Sequence, residues 1–426
     1  MPYTHTTKSD GQTLTAAEWN AVGDAVESGT VSVTEVLVAA SNAPAKTIAG
    51  ADYGCDGTDD HVQIQAAIDA AQADVDAHGG AIELKLIGDF KTADTIEWKS
   101  CPLVGSQTKH GTSLRWDGAA GGLMMTKNHT LEGGMSLNHM REIQFRSGTA
   151  EPLNFLEFPH STDSGKYVDA ELQLQRVKFF GSSGSGIKVG RWVNLHWEHL
   201  RWDNVGGYAI ELKAGQFDNQ ADFCIDGFSY DHSRTSSRGL GFLNIDLTTH
   251  PSNAGTVTLK NARVEVNKAW EGNQAFVNLY HGADSTASAR SVQLHIEDIT
   301  FQDVGNGEAK MTDDCIIYRD TANTTQSESF YIENCVWTSD SAVLGGTWPT
   351  TQVIPAMPPA GLIQLMVNGS VLRLLDGVSV KVVAGAVSDG SFAPTTVPDG
   401  TVAIDSTNGR FYFKYGGAWH YVTQTA

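Results

Sequence analysis

The sequence predicts an all-β solenoid, and three observations predict it. The first is a recurring run with apolar residues at alternate positions, usually ending on an aromatic, as in Ile143–Phe145, Val177–Phe179, Leu200–Trp202, Phe228–Tyr230, Val264–Val266 and Ile299–Phe301. With Phe145, Phe179, Trp202, Tyr230, Val266 and Phe301 as markers, the spacings are 34, 23, 28, 36 and 35 residues. Such an irregular repeat suits stacked coils that carry loops of different length. The second is that no helical periodicity separates these runs, while 44 glycines supply frequent turns. The third is size: 426 residues exceed what one compact layered domain usually holds, whereas a stack grows by adding units. Sandwich strands would recur about every 8 to 12 residues without a fixed aromatic position. Period-two alternation turns one face of each strand inward, so equivalent residues of successive coils form a buried ladder.

Residues 1–50 read as a separate segment. Thr15 and Glu18 make a capping box, with Leu14 and Trp19 at the staple positions. Trp19, Val22 and Val26 then line one face of a helix that Gly29 stops. A helix of about 13 residues does not stand alone in water, so this stripe is expected to dock on a neighbouring copy or a larger particle. Further on, Gly54 and Gly57 allow tight turns, and Asp59 or Asp60 caps a helix over 59–78 whose Ile64, Ala67, Ile68, Ala71 and Val75 share a face. Gly79 and Gly80 end it, a strand follows over 81–87, and shorter strands fall near 94–98 and 101–105.

This order, with Tyr53-Gly54 and Asp56-Gly57 before an amphipathic helix, a glycine pair and a strand, resembles the N-terminal signature of the pectate-lyase-like superfamily and of bacteriophage tailspikes. Gly88-Asp89 stands where that family usually has a proline-glycine turn. The resemblance implies a right-handed parallel β-helix, the pectin-lyase-like solenoid, over 51–385. At about 30 residues per coil that is roughly ten coils and a rod near 50 Å long.

A Pro-rich excursion at 348–359 is followed by strands expected over 362–367, 371–375 and 378–383, then by a linker-like stretch at 386–398. The remainder of 386–426 reads as a small cap, a three-stranded meander turning at Asn408-Gly409 and Gly416-Gly417. It is too small to be stable alone. The segment resembles C-terminal pieces of phage tail and head-fibre proteins, and 14–26 resembles their N-terminal segments.

The balance of 29 basic and 49 acidic residues gives −20, with no basic stripe. Nucleic acid and anionic membrane surfaces are poor partners for such a chain. Residues 1–30 show no secretory leader, and no run of about 20 apolar residues predicts membrane insertion. Cys55, Cys101, Cys224, Cys315 and Cys335 are scattered without a C-x-x-C pair, so they read as isolated small apolar residues rather than a disulfide framework or zinc site.

Several motifs invite chemistry. His196-Trp-Glu-His199 suggests a metal, yet in a straight strand His196 and Glu198 share one face and His199 takes the other, so no metal is expected. The glycine-serine run 181–186 precedes strand-like Ile187–Val189 rather than the helix a phosphate loop requires. Asp56, Asp59 and Asp60 could hold calcium, but capping accounts for Asp59 or Asp60 without it. No cofactor is expected.

The segment 216–238 is the richest: Asp218, Asp222, Asp226, Asp231, His232, Arg234 and Arg238 lie among aromatics. Acids and flat rings are what sugar hydroxyls and ring faces need. Trp202, Asp218, Asp222, Tyr230, Asp231 and Arg234 are therefore the glycan-binding candidates, and Asp222, Asp226, Asp231 and His232 the catalytic ones. Acids on adjacent rungs stand about 4.8 Å apart, near the roughly 5 to 5.5 Å of retaining glycoside hydrolysis. A lyase would instead want His232 beside Arg234 or Arg238.

The resemblance implies a virion protein of tailspike or tail-fibre type, on the tail or capsid surface. It would recognise host-surface polysaccharide or glycoprotein, contact other virion proteins through 1–50, and form a homotrimer. Two alternatives stand beside it: a polysaccharide-cleaving hydrolase or lyase on the same scaffold, and a non-catalytic capsid decoration or turret.

Overall fold

The computed structural model describes residues 34–106, 111–127, 130–131, 139–159, 167–168, 172–190, 192, 194–213, 222–232, 240–247, 255–266, 275–280, 292–303, 315–319, 328–339, 363–367, 370–374, 380–383, 402–405, 410–415 and 418–423. The helix expected over 14–26, the Pro-rich excursion and the 386–398 stretch lie outside the described residues.

The body is a right-handed parallel β-helix. One large sheet carries two flanks of the rod, and an eight-stranded parallel sheet running from Ile96–Glu97 to Cys315–Arg319 forms the third face. Strands Leu195–Asp203, Phe223–His232, Thr256–Val266 and Gln293–Asp303 each span both flanks and pair in register, Trp202 on Tyr230, Tyr230 on Val264 and Val264 on Phe301. Val264, not Val266, therefore holds the marker position on that rung. Period-two alternation puts residues two apart on one face, so the pattern tolerates a slip of two.

Inside, Phe145 stacks on Phe179 at 5.4 Å and Phe179 on Trp202 at 5.6 Å. Phe242 stacks on Phe228 at 4.5 Å and on Phe276 at 5.2 Å. Each fully buried ring is worth about 1.5–3 kcal/mol of removed apolar surface, and stacking adds about 0.5–1.5 kcal/mol per pair.

Seven successive rungs turn from the first flank to the second at one residue of left-handed backbone: Glu142, Arg176, His199, Gly227, Asn261, Asp298 and Asn334, with φ between 51° and 73°. The register of their neighbours places these residues in one column. Six of the seven carry a side chain there, at about 1–2 kcal/mol each. Asp298→Ile, β-branched at an exposed position with φ 52°, is expected to lose about 1–3 kcal/mol in urea unfolding. Asp298→Gly should equal or exceed wild type.

The stack begins earlier than the boundary expected at residue 51. Thr34–Ala39 pairs in parallel with Ile82–Ile87 and also borders Tyr53–Gly54. The capping helix runs His61–His78 with Ile64, Ala67, Ile68 and Ala71 buried. At the far end, Ile363–Val367 adds a parallel strand to Glu328–Glu333, but Ser370–Leu374 returns antiparallel on it. Val380–Val383 leaves the stack altogether and pairs with Val402–Asp405. The C-terminal sheet thus has four strands, the fourth taken from the stretch assigned to the solenoid, and its last three form the expected meander.

Candidate functional site

The bend at Gly227 divides the acidic segment between two flanks. Residues at alternate positions before the bend and after it both face outward, but around a corner. Asp222 and Asp226 lie on the first flank, and Asp231 lies on the second. Asp218, Arg234 and Arg238 fall outside the described residues.

Three candidates are inside. Trp202 is fully buried between Phe179 and Phe242. Tyr230 is buried, its hydroxyl donating to the Gly241 carbonyl at 3.0 Å and meeting His232 Nδ1 at 2.9 Å. His232 is itself fully buried. These side chains cannot stack on a glycan or draw a proton from one. The same alternation that made Trp202 and Tyr230 ladder markers turns them inward.

On the second flank Asp231 sits between Asp203 and Glu265 on consecutive rungs. Arg201 lies 3.4 Å from Asp203, and Arg263 2.6 Å from Glu265. The outer two carboxylates are thereby neutralised on their own strands.

The first flank is concave at one end. A cavity of about 400 Å³ is lined by His139, Arg141, Gln173, Leu174, Gln175, His196 and Glu198. Leu174, fully buried, forms its floor. Gln175 donates to Glu198 at 2.9 Å, and Arg141 donates to Glu83 at 3.3 Å. His139 Nε2 and Arg141 Nε are buried with no hydrogen-bond partner, and Glu83 lies 3.8 Å from His139 Nε2, beyond hydrogen-bond reach. Burial, with the Arg141 charge beside it, pushes the His139 pKa down, so the ring is neutral near pH 7 and presents one donor and one acceptor.

The cavity is one end of a longer stripe. Outward positions on successive rungs read His139, Gln173, His196, Cys224, Thr258, His295 and Tyr331, beside Arg141, Gln175, Glu198, Asp226, Lys260, Glu297 and Glu333. Six rung spacings of about 4.8 Å make it about 29 Å long. His295 and Tyr331 stack at 4.3 Å near the other end. Asp226 accepts from Asn261 at 2.7 Å and pairs with Lys260 at 3.1 Å. The Asn261 amide, with Lys260, holds its carboxyl below the usual carboxylate range, which suits an acceptor and not a general acid. Asn261→Ala is expected to raise the Asp226 pKa toward the ordinary value, readable by NMR titration.

The sequence motifs resolve locally. His196 and Glu198 face outward 3.5 Å apart, while His199 occupies the bend with its ring against Gly227. It thus lies at the exposed corner rather than on the opposite strand face, and the three do not converge. The 181–186 run is a turn in which Gly206 donates to the Ser182 carbonyl and Gly186 to the Tyr208 carbonyl. Asp60, fully buried, accepts from the amides of Gly57 and Lys91 at 2.8 Å each, and Asp56 accepts from Thr58. Burial pushes the Cys55 thiol up to about 12 and those of Cys101 and Cys335 to about 11.

No protein-family model matches the chain, and no curated protein does. Among solved structures it is similar to tailspike protein 3 of bacteriophage CBA120, at 10% identity with a TM-score of 0.32. That similarity covers 96% of this chain and 76% of that one. No helix among the described residues is long and apolar enough to cross a membrane.

Proposed function

We propose that this chain is a virion surface protein of tailspike or tail-fibre type that holds host-surface glycan along its first flank. The observation that carries the binding reading is the stripe, where amides, imidazoles or carboxylates face outward on six of the seven rungs from His139 to Glu333 and a cavity opens at the His139 end. Sugar hydroxyls need that mixture of donors and acceptors, and the rung spacing is close to the length of one sugar residue. The resemblance of 51–105 and of the two terminal segments to phage fibre chains supports the virion setting, on tail or capsid, with 1–50 as the attachment segment. Trimerisation would give the Trp19 stripe and the small C-terminal sheet the partners they need.

The test is binding of the purified full chain to host-surface glycan. The double variant Gln173→Ala with Glu198→Ala should bind at least about tenfold more weakly, equivalent to about 1.4 kcal/mol. Unchanged affinity would remove the first flank from consideration.

A second reading, cleavage of polysaccharide, is favoured by one observation: Asp203, Asp231 and Glu265 stack on consecutive rungs. Release of reducing ends that stops with Asp231→Asn would support it over a binding or purely decorative role.

A further inference from the structure

Resting on the glycan reading of the first flank, we infer that the stripe takes an uncharged polysaccharide chain lying along the rod axis, and discriminates against polyuronates and other acidic polymers. The charges facing the cleft are the reason. Glu35, Glu83, Glu198, Asp226, Glu297 and Glu333 outnumber Lys85, Arg141 and Lys260, and Lys85 is paired with Glu35 at 3.2 Å. Arg141 is already paired with Glu83 at 3.3 Å, and Lys260 with Asp226 at 3.1 Å. The His139 ring adds no cation near neutral pH. A ligand carboxylate would enter a field of like charge and break an existing ion pair to find a partner. A hydroxyl meets neither cost.

The cavity walls also carry what a sugar hydroxyl needs: the Arg141 guanidinium donates, Glu198 accepts, and the Gln173 and Gln175 amides do both. One hydroxyl can donate and accept at once, so a single sugar residue seated over Leu174 could bridge the Arg141 side to the Gln173, Gln175 and Glu198 side. At about 400 Å³ the cavity is in the lower range for small-molecule sites, enough for part of a chain and not the whole of it. The remaining residues would run over Cys224 and Thr258 toward the stacked His295 and Tyr331, where a ring face can lie on aromatic surface.

The experiment titrates the full chain with chitohexaose and a soluble neutral β-glucan on one side, and with polygalacturonate and polysialic acid on the other, at fixed ionic strength. The neutral probes should bind at least tenfold tighter than the acidic ones, and Gln173→Ala should remove that binding. Glu198→Lys should narrow the preference by improving polygalacturonate binding, with circular dichroism confirming that both variants melt like wild type. Preferential binding of an acidic polymer that disappears in Gln173→Ala would overturn the charge inference while leaving the flank a glycan site. Silence with every probe, or binding that neither variant alters, would overturn the flank assignment itself.

Discussion

Phe301→Asp is expected to lower stability by at least about 3 kcal/mol. Phe301 is fully buried and meets Phe276 edge to face at 5.1 Å. Removing the ring leaves a cavity, at about 3–5 kcal/mol for an aromatic truncation, and the carboxyl that replaces it has to be buried or protonated. Chemical denaturation should therefore show a midpoint far below wild type, and the loss should be larger than for Phe301→Leu. A near wild-type midpoint would mean that the rung is not wound as described, because every neighbour of Phe301 in the ladder depends on the same register.

Asp60→Ala should cost about 2–4 kcal/mol. The two amides that Asp60 satisfies belong to different parts of the rod's N-terminal end, Gly57 in the turn before the helix and Lys91 on the strand Ile82–Thr92 that follows it. Each buried donor left unmade costs about 1–3 kcal/mol; the Asp60 carboxylate makes no cap hydrogen bond to the helix itself, contrary to the capping role expected for it. The substitution thus unties the capping helix from the rod's end. Thermal melting with and without a chelator separates this from a calcium role: wild type should melt identically in both, and Asp60→Ala should melt low in both. A chelator-sensitive wild type would revive the metal reading of the Asp56–Asp60 turn.

The aromatic repeat was legible because Phe145, Phe179, Trp202, Tyr230 and, one rung beyond Val264, Phe301 sit at one depth in the ladder, and burial leaves its mark on composition. The cleft was not, and the bend explains why. Counting back from Trp202, Glu198 and His196 lie four and six residues earlier, and unbroken alternation would turn both inward with the ring. The left-handed residue at His199 shifts the phase by one, so they emerge on the outside. The same shift carries Gln175 and Gln173 outward before Phe179, Arg141 and His139 before Phe145, and Asp226 before Tyr230. An Asn or Gly at every bend would have advertised the column, but Glu142 and Arg176 fill it too, and neither residue type signals left-handed backbone. His196 and Glu198 were visible only as part of a metal motif that the corner takes apart.

Local chemistry in the chain was enough to determine a parallel stack closed by a capping helix, because period-two burial, turn residues and a capped amphipathic stripe are written into neighbouring positions. Which carboxylates share a flank was decided only in three dimensions. A single backbone torsion per coil reverses the facing of everything beyond it, and its effect becomes readable only when successive coils are laid side by side.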